Sequence, residues 1–261
     1  MKKNSSVSML SAERHRLLIE FINIRQNVSI ADVCEYFSIS EATARRDLDL
    51  LAERGLIERV HGGAVSKETR QGEPPVLLRE KEQYQEKKRI AMAASNLIQD
   101  GETVFLGSGT TVVEVAKNLV SRKNFTVITN SLLVANILAD QNDITVVMIG
   151  GILRHSEFSL IGHLANEALL GLRVDKVIIG IHSIDSQYGL TNEYMPEIET
   201  DRAILGIGKQ IIVLADHTKC GHVSVAFLAP VNSMDILITD QAVSDKFESE
   251  MISMGVKVIK A

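Results

Sequence analysis

Residues 38–51 read S-I-S-E-A-T-A-R-R-D-L-D-L-L and predict a helix that begins just after Ser40. Ser40 can cap this helix, and the leucines near its end recur at helical spacing. Two further helices are predicted upstream, over Ser11–Arg25 and over residues 29–37. Downstream, residues 56–65 contain two short strand-like pieces around a Gly-Gly turn. Three helices followed by a hairpin predict a winged helix-turn-helix.

The residues at the start of the third predicted helix are placed to contact DNA. In a helix-turn-helix, the N-terminal residues of the motif's second helix face base edges in the major groove. One of Arg45 and Arg46 can bind guanine through two hydrogen bonds, while the other binds phosphate. Ser40 and Thr43 can hydrogen-bond to either group. The alternative interpretation is an exposed arginine pair on an ordinary surface helix.

The net charge of −5 argues at first against nucleic acid as a partner. The charge is unevenly distributed, because residues 1–70 sum to about +1 and the remainder to about −6. A DNA-binding protein needs to be basic only on its docking face. The overall acidity therefore does not exclude DNA binding.

The composition favours two domains and an intracellular location. A chain of 261 residues suits one small and one moderate domain. Only 4% of the residues are aromatic, and a core of Val, Ile, Leu and Ala favours buried parallel strands. Cys34 and Cys220 form no C-x-x-C pair, which argues against a disulfide framework or a zinc site. We find no signal peptide and no apolar run of roughly 18 residues, and therefore expect a cytoplasmic protein with no membrane partner.

Strands and helices alternate beyond the first predicted domain. We expect that domain over residues 8–66, a linker and the start of a charged helix (about 78–99) over residues 67–85, and a second domain over residues 86–261. Short β-branched runs separated by helices predict an α/β domain whose sheet is mainly parallel, with helices on both faces. The predicted strands are Thr103–Leu106, Phe125–Thr129, 144–149, 176–181, 210–215 and Ile236–Thr239.

A turn rich in glycine and hydroxyl groups follows the first of these strands, where residues 106–111 read L-G-S-G-T-T. Because the turn opens a helix, free backbone N–H groups and the positive end of the helix dipole face an anion there. The motif lacks the third glycine of a dinucleotide-binding fingerprint and the lysine of a P-loop. It predicts an anion site formed by Gly107, Ser108, Gly109, Thr110 and Thr111.

Polar residues also follow the later predicted strands. Ligands of open α/β sheets bind outside the carboxyl ends of the strands, so these residues are candidates for ligand contacts. Some have ordinary explanations as well, Asn130 as a helix cap and His182 as a satisfied buried histidine. The candidates are Asn130, Gly151, Arg154, His182, Asp185 and Lys219.

The two patterns together resemble the DeoR family of bacterial transcription regulators. The likeness rests on S-I-S-x-x-T-x-R-R-D-L-x-x-L and L-I-x-R-V-x-G-G-A within residues 11–65, and on the strand-end pieces over residues 86–240. The resemblance implies a sensor domain that has the fold of ribose-5-phosphate isomerase and binds a phosphorylated sugar. A solvent-facing hairpin is the alternative for the wing. The DNA contacts that the resemblance implies are Ser40, Thr43, Arg45 and Arg46 and, in the wing, Arg59, His61, Gly62 and Gly63.

The chain departs from the family pattern at two acidic positions. The family usually has Asp where this chain has Gly107, and G-A-D-G-I-D where residues 180–185 read G-I-H-S-I-D. These departures remove two partners for sugar hydroxyls and leave the identity of the effector open.

These expectations combine into a repressor that leaves its operator when a phosphorylated sugar binds, without catalysis, cofactor or metal. Binding to two operator half-sites requires at least a homodimer. The alternatives are an isomerase that carries a DNA-binding domain, and a transcriptional activator. An isomerase needs a positioned carboxylate base, and Glu193, Glu197 and Glu199 match no catalytic pattern.

Overall fold

The computed structural model describes residues 11–25, 27–66 and 76–261. The chain divides between residues 71 and 72 into an N-terminal and a C-terminal unit. This boundary falls inside the predicted linker. The beginning of the first predicted domain and the first nine residues of that linker lie outside the described residues.

The N-terminal unit is a winged helix-turn-helix, as predicted. Its described strands form an antiparallel sheet in the order β1-β3-β2. The strand β1 has no sequence signal, because three residues are too few for a periodic pattern. The described elements are α1 (Ser11–Arg25), β1 (Asn27–Ser29), α2 (Ile30–Phe37), α3 (Glu41–Glu53), β2 (Ile57–Val60) and β3 (Gly63–Ser66).

Side-chain caps set the ends of α2 and α3. The Ser29 hydroxyl accepts from the Asp32 N–H at 3.1 Å, and the Asp32 carboxylate accepts from the Ser29 N–H at 2.8 Å, which forms a capping box. Ser38 ends α2 in the left-handed conformation with a φ of 52°. Ser40 begins α3 and accepts from the Thr43 N–H at 3.3 Å. Local contacts therefore determine the turn between the two helices.

A buried ion pair joins α1 to α3. The Asp47 carboxylate accepts from Arg14 Nε at 2.7 Å and lies 2.9 Å from His15 Nε2. Burial alone would raise the pKa of Asp47, but the hydrogen bonds from Arg14 and His15 outweigh it and hold that pKa below its ordinary value. The apolar cluster of this unit includes the fully buried Leu18, Val33, Leu48 and Leu51.

The C-terminal unit alternates strands and helices along the chain. Its described helices are α4 (Val76–Arg79), α5 (Tyr84–Ser95), α6 (Thr110–Leu119), α7 (Leu132–Leu138), α8 (His163–Leu170), α9 (Ile198–Ile207) and α10 (Asp245–Ser253). Its described strands are β4 (Thr103–Leu106), β5 (Phe125–Thr129), β6 (Ile144–Met148), β7 (Ile152–Arg154), β8 (Ser159–Ile161), β9 (Val174–Gly180), β10 (Ser183–Asp185), β11 (Gly189–Asn192), β12 (Gly208–Leu214), β13 (Ala226–Ala229), β14 (Ile236–Thr239) and β15 (Lys257–Lys260).

Seven strands within residues 76–261 form a parallel sheet in the order β15-β14-β12-β9-β4-β5-β6. The chain passes from β4 through β5 to β6 at one edge of the sheet, and later from β9 through β12 and β14 to β15 at the other edge. The direction in which strands are added to the sheet therefore reverses between β4 and β9. Helices cover both faces. Val177 and Ile179 of β9 pack into one apolar cluster, and Ile178 packs into the other. The predicted α/β architecture is confirmed.

All six predicted strands belong to this sheet, with end points shifted by at most two residues. The predicted helix over residues 78–99 is divided into α4 and α5, because Gln83 adopts a left-handed φ of 45°. The strands β10, β11 and β13 form a small antiparallel sheet, and β7 pairs with β8. Of the helices in the described ranges, none is both long and apolar enough to cross a membrane.

We expect Gly63→Ala to destabilise the N-terminal unit. A Cβ at this position would lie 2.0 Å from the Val28 carbonyl oxygen, so β1 would have to separate from β3. Such overpacking typically costs about 1–3 kcal/mol. Hydrogen–deuterium exchange of the β2 and β3 amides in the full chain would measure the loss. Glu58→Ala, an exposed change on β2, is the control, and equal protection in both variants would contradict the prediction.

Candidate functional sites

The start of α3 carries four of the predicted DNA-contacting residues. The Ser40 hydroxyl caps the helix and lies 2.9 Å from the Thr43 hydroxyl. Arg45 and Arg46 are exposed, whereas Ala44 between Thr43 and Arg45 is buried in the apolar cluster. The helix therefore turns a polar face outward and an apolar face to the core.

The two arginines differ in their contacts. Arg45 donates to the Glu41 carboxylate from Nη2 at 2.5 Å and from Nε at 3.1 Å. Exposed pairs of this kind are worth roughly 0–1 kcal/mol, so a phosphate can replace Glu41 with little loss. Arg46 has no hydrogen bond or ion pair to any residue that the structure describes. Arg46 is therefore available to an anion as it stands.

Arg59 holds the wing against α3. Its Nε donates to Asp49 Oδ1 at 2.7 Å, and its Nη1 donates to the Gly63 carbonyl oxygen. His61 is exposed in the turn between the two wing strands, where Gly62 adopts a φ of 85°. A direct DNA contact by Arg59, His61 or Gly62 stays a prediction.

A cleft in the C-terminal unit lies at the carboxyl ends of β4, β5, β9 and β12. These strands are neighbours in the sheet and flank the reversal between β4 and β9. Ligands of open α/β sheets bind at such points. The structure brings together nine of the predicted ligand residues here: Gly107, Ser108, Gly109, Thr110, Thr111, Asn130, Arg154, His182 and Lys219.

The start of α6 is suited to an anion. Gly109 precedes the helix with a φ of 104°, and no side chain caps the backbone N–H groups of the first turn. Lys219 also lines the cleft, and its ammonium group has no hydrogen bond or ion pair within the described part of the chain. The helix N-terminus and Lys219 can therefore neutralise a phosphate together.

Packing explains the glycine at residue 107. A Cβ there would lie 2.9 Å from Ile179 Cγ2 on the neighbouring strand β9. An Asp at this position would therefore require Ile179 to move. Gly107, where the family pattern has Asp, therefore fits the close packing against Ile179.

The cleft also contains carboxylates that the sequence did not identify as ligand contacts. The guanidinium carbon of Arg154 lies 4.4 Å from the centroid of the Tyr194 ring, and Arg154 Nη1 donates to Glu197. Arg79 forms an ion pair with Glu157. We call the following four residues the acidic cluster: Glu157, Glu193, Glu197 and Asp201.

Hydrogen bonds extend from His182 through this cluster. His182 Nε2 lies 3.0 Å from Glu193 Oε1, and the His182 N–H donates to Asn192 Oδ1 at 3.3 Å. Asn192 Nδ2 in turn donates to Asp201 Oδ2 at 2.6 Å. Burial and the negative charge of Glu197 raise the pKa of Asp201 well above its ordinary value, although the hydrogen bond from Asn192 opposes them.

A buried lysine contributes a further cation to the cleft. Lys87 Nζ donates to the Arg79 carbonyl oxygen at 2.7 Å. Burial lowers the pKa of Lys87, although the charge of Asp216 partly opposes this effect. A bound anion would favour the charged form of Lys87 and so offset the penalty of its burial.

Two predicted ligand residues do not line the cleft. Asp185 Oδ1 accepts from the N–H groups of Gln187 and Tyr188, at 2.8 and 2.9 Å, and so stabilises the turn between β10 and β11. Gly151 packs closely against β8, since a Cβ there would lie 2.8 Å from the Ile161 carbonyl oxygen. Both residues therefore have local structural roles, and ligand contacts by either stay a prediction.

No described group of three or more His, Cys, Asp and Glu side chains could hold a metal ion. The cleft residues that sequence reasoning missed include Arg79, Asn192 and Tyr194. Arg79 lies at the start of the predicted charged helix, in the segment that we assigned to the linker and helix start. Asn192 and Tyr194 lie at and just beyond the end of β11, a strand that we did not predict.

Comparisons with known proteins identify relatives of both units. The family model "DeoR C terminal sensor domain" matches residues 82–241, and "DeoR-like helix-turn-helix domain" matches residues 14–70. The chain is 34% identical to the glycerol-3-phosphate regulon repressor of Escherichia coli K12 over 89% of this chain and 92% of that protein. It is also 34% identical to the HTH-type transcriptional repressor GlcR of Bacillus subtilis, over 96% of each chain.

Solved structures give a weaker likeness. Ribose 5-phosphate isomerase A from Methanocaldococcus jannaschii matches with a TM-score of 0.40 and 17% identity, over 53% of this chain and 55% of that chain.

We expect Asp201→Asn to stabilise the ligand-free protein at neutral pH. Because the folded state raises this pKa above its ordinary value of 3.8, Asp201 lowers stability increasingly as the pH rises through the folded pKa. The difference in melting temperature between variant and wild type should therefore grow with pH and vanish below about pH 4. Glu199→Gln, an exposed change on the same helix, is the control. An Asp201→Asn variant that is equally or less stable throughout would contradict the prediction.

Proposed function

Because the chain belongs to the DeoR family of helix-turn-helix transcription regulators, we propose that it is a repressor that leaves its operator when a phosphorylated sugar binds in the cleft. Its relatives in Escherichia coli and Bacillus subtilis are named as repressors, which supports repression. The observation that carries the effector assignment is the uncapped start of α6 together with Lys219 in one cleft.

The DNA-binding surface in this proposal is the exposed face of α3. Arg46 has no partner among the described residues, and Arg45 has only a weak surface contact with Glu41 to give up. Arg45 and Arg46 supply the positive charge that phosphates require, and either side chain can bind guanine through two hydrogen bonds. Ser40 and Thr43 offer hydroxyl groups at the same end of the helix.

The effector in this proposal is held by its phosphate. The free N–H groups of α6, the hydroxyls of Thr110 and Thr111, and the Lys219 ammonium all favour a group with two negative charges. A sugar without phosphate would leave these donors unmatched. We therefore expect the phosphorylated form alone to change DNA binding.

We infer a homodimer or a larger homo-oligomer that acts in the cytoplasm on double-stranded DNA. Operators with two half-sites match two copies of a DNA-binding unit, and the affinity depends on the spacing of those copies. An effector that prefers the spacing unsuited to the operator would release the DNA by shifting that equilibrium.

We propose that the chain is not an enzyme. Aldose–ketose isomerisation needs a carboxylate base beside the substrate carbon. Glu197 and Glu157 in the cleft each accept from an arginine, so neither carboxylate is left free to act as that base. Measurable turnover of ribose 5-phosphate would contradict this assignment.

We expect Arg46→Ala to weaken operator binding by about 1–3 kcal/mol, because it removes an exposed cation from the face of α3 that meets DNA. Fluorescence anisotropy on labelled DNA selected for binding to this protein would measure the loss. Arg54→Ala removes the same charge from the other end of α3 and should have a smaller effect. Equal losses in the two variants would show that α3 does not approach DNA by its N-terminal end.

We expect Lys219→Ala to abolish or weaken release by sugar phosphates while DNA affinity stays unchanged. Loss of a charged hydrogen bond should raise the sugar phosphate concentration needed for half release by at least about tenfold. Lys246→Ala, which removes an exposed lysine of α10, is the matched control. Unchanged release in both Lys219→Ala and Thr110→Ala would refute the phosphate site.

A further inference from the structure

Asn130 lines the cleft and carries a buried hydrogen-bond acceptor that is unused. Its side chain is only 2% exposed, and its Nδ2 donates to the Leu160 carbonyl oxygen at 3.1 Å. Since a carbonyl oxygen can only accept, this contact fixes the orientation of the amide. The buried Oδ1 then has no hydrogen-bond partner among the residues that the structure describes. A buried acceptor without a partner is unfavourable, so Asn130 calls for a ligand group that donates.

Arg154 carries an unused donor in the same region. It ends β7 opposite Ser159 of β8, and the next residue of β8, Leu160, accepts from Asn130. Its Nη1 is engaged with Glu197 and its guanidinium stacks on Tyr194, but its buried Nε has no partner in the described part of the chain. A sugar hydroxyl can accept from this Nε and can donate to Asn130 Oδ1. A carboxylate or phosphate oxygen can accept but has no proton for Asn130.

The charges around these two atoms also disfavour an anion. The acidic cluster contributes four carboxyl groups, and the two arginines beside it are already paired, Arg79 with Glu157 and Arg154 with Glu197. Glu193 is in contact with His182. A ligand anion placed here would therefore meet carboxylates rather than an uncommitted arginine.

The surroundings of Asp201 disfavour a further negative charge at this point. Burial and repulsion by Glu197 and Glu157 favour its neutral form, even though Asn192 donates a hydrogen bond to it. A carboxylate of the ligand placed beside Glu197 and Glu157 would be disfavoured for the same reasons.

We propose that the cleft binds sugar monophosphates whose remaining groups are uncharged, and excludes sugar bisphosphates and phosphosugar acids. Asn130 Oδ1 and Arg154 Nε together favour a ligand hydroxyl group over a second anionic group. This inference rests on the proposed function, since it assumes that the start of α6 and Lys219 bind the first phosphate.

Isothermal titration calorimetry on the full chain tests the proposal with matched ligand pairs. The pairs are glycerol 3-phosphate with 3-phosphoglycerate, glucose 6-phosphate with 6-phosphogluconate, and fructose 6-phosphate with fructose 1,6-bisphosphate. In the pair that contains the tightest-binding ligand, the member without a second anionic group should bind at least about tenfold more tightly than the other member, because a second negative charge would be repelled by the carboxylates of the cleft.

A charge variant separates electrostatic exclusion from shape. Glu193→Gln removes one negative charge from the cleft and should narrow the affinity ratio within that pair by about threefold or more. Glu199→Gln removes the same charge from an exposed position on α9 and should leave the ratio unchanged. Melting temperatures of both variants would confirm that they are folded.

Different results would contradict this inference alone or the proposed function as well. Tightest binding by 3-phosphoglycerate, 6-phosphogluconate or the bisphosphate would overturn this inference and leave the phosphate site intact. A ratio that Glu193→Gln does not change would also overturn the electrostatic basis of the inference. Binding of none of the six ligands would contradict the proposed function itself, and this inference with it.

Discussion

The cleft depends on the parallel arrangement of four neighbouring strands. Because β4, β5, β9 and β12 all point the same way, their carboxyl ends meet at one edge of the sheet. Both faces of the strands are covered by apolar clusters, so polar side chains can gather only where the strands end. The reversal between β4 and β9 then separates the connections that leave the central strands and opens the space that Gly107, Asn130 and Lys219 line.

Features set by neighbouring residues were predictable, and features set by tertiary contacts were not. The caps at Ser29 and Ser40 and the turn over residues 106–111 each depend on a few consecutive residues, so the sequence shows them directly. Asp201 joins the cleft only because α9 brings it beside Asn192 at the end of β11, and no local pattern reveals that. The rule that ligands bind at strand ends predicted Asn130 and His182 but also included Asp185, whose carboxylate instead stabilises a turn.

The N-terminal unit has little net positive charge, and its surface arginines are held by carboxylates that DNA phosphates can replace. The carboxylates of Glu41 and Asp49 each hold an arginine on the surface of α3 or the wing. Such exposed pairs contribute little, so DNA phosphates can replace the carboxylates without a large penalty. In contrast, Asp47 is buried and paired with Arg14, so separating the pair would leave a buried charge and Asp47 is not available for exchange. A nearly neutral domain can thus present a basic face when DNA is near.

The cleft contains a lysine and an aspartate whose charged forms are both disfavoured by burial. Burial lowers the pKa of Lys87 and raises that of Asp201, so both groups are less readily charged than they would be in water. A phosphate near the start of α6 would stabilise the charged form of Lys87, whereas an uncharged sugar leaves Asp201 as it is. The two groups therefore favour one orientation of a phosphorylated sugar over the reverse. A bound phosphate would recover a further part of the free energy that burial of Lys87 costs, which couples occupancy of the cleft to the stability of the unit around it.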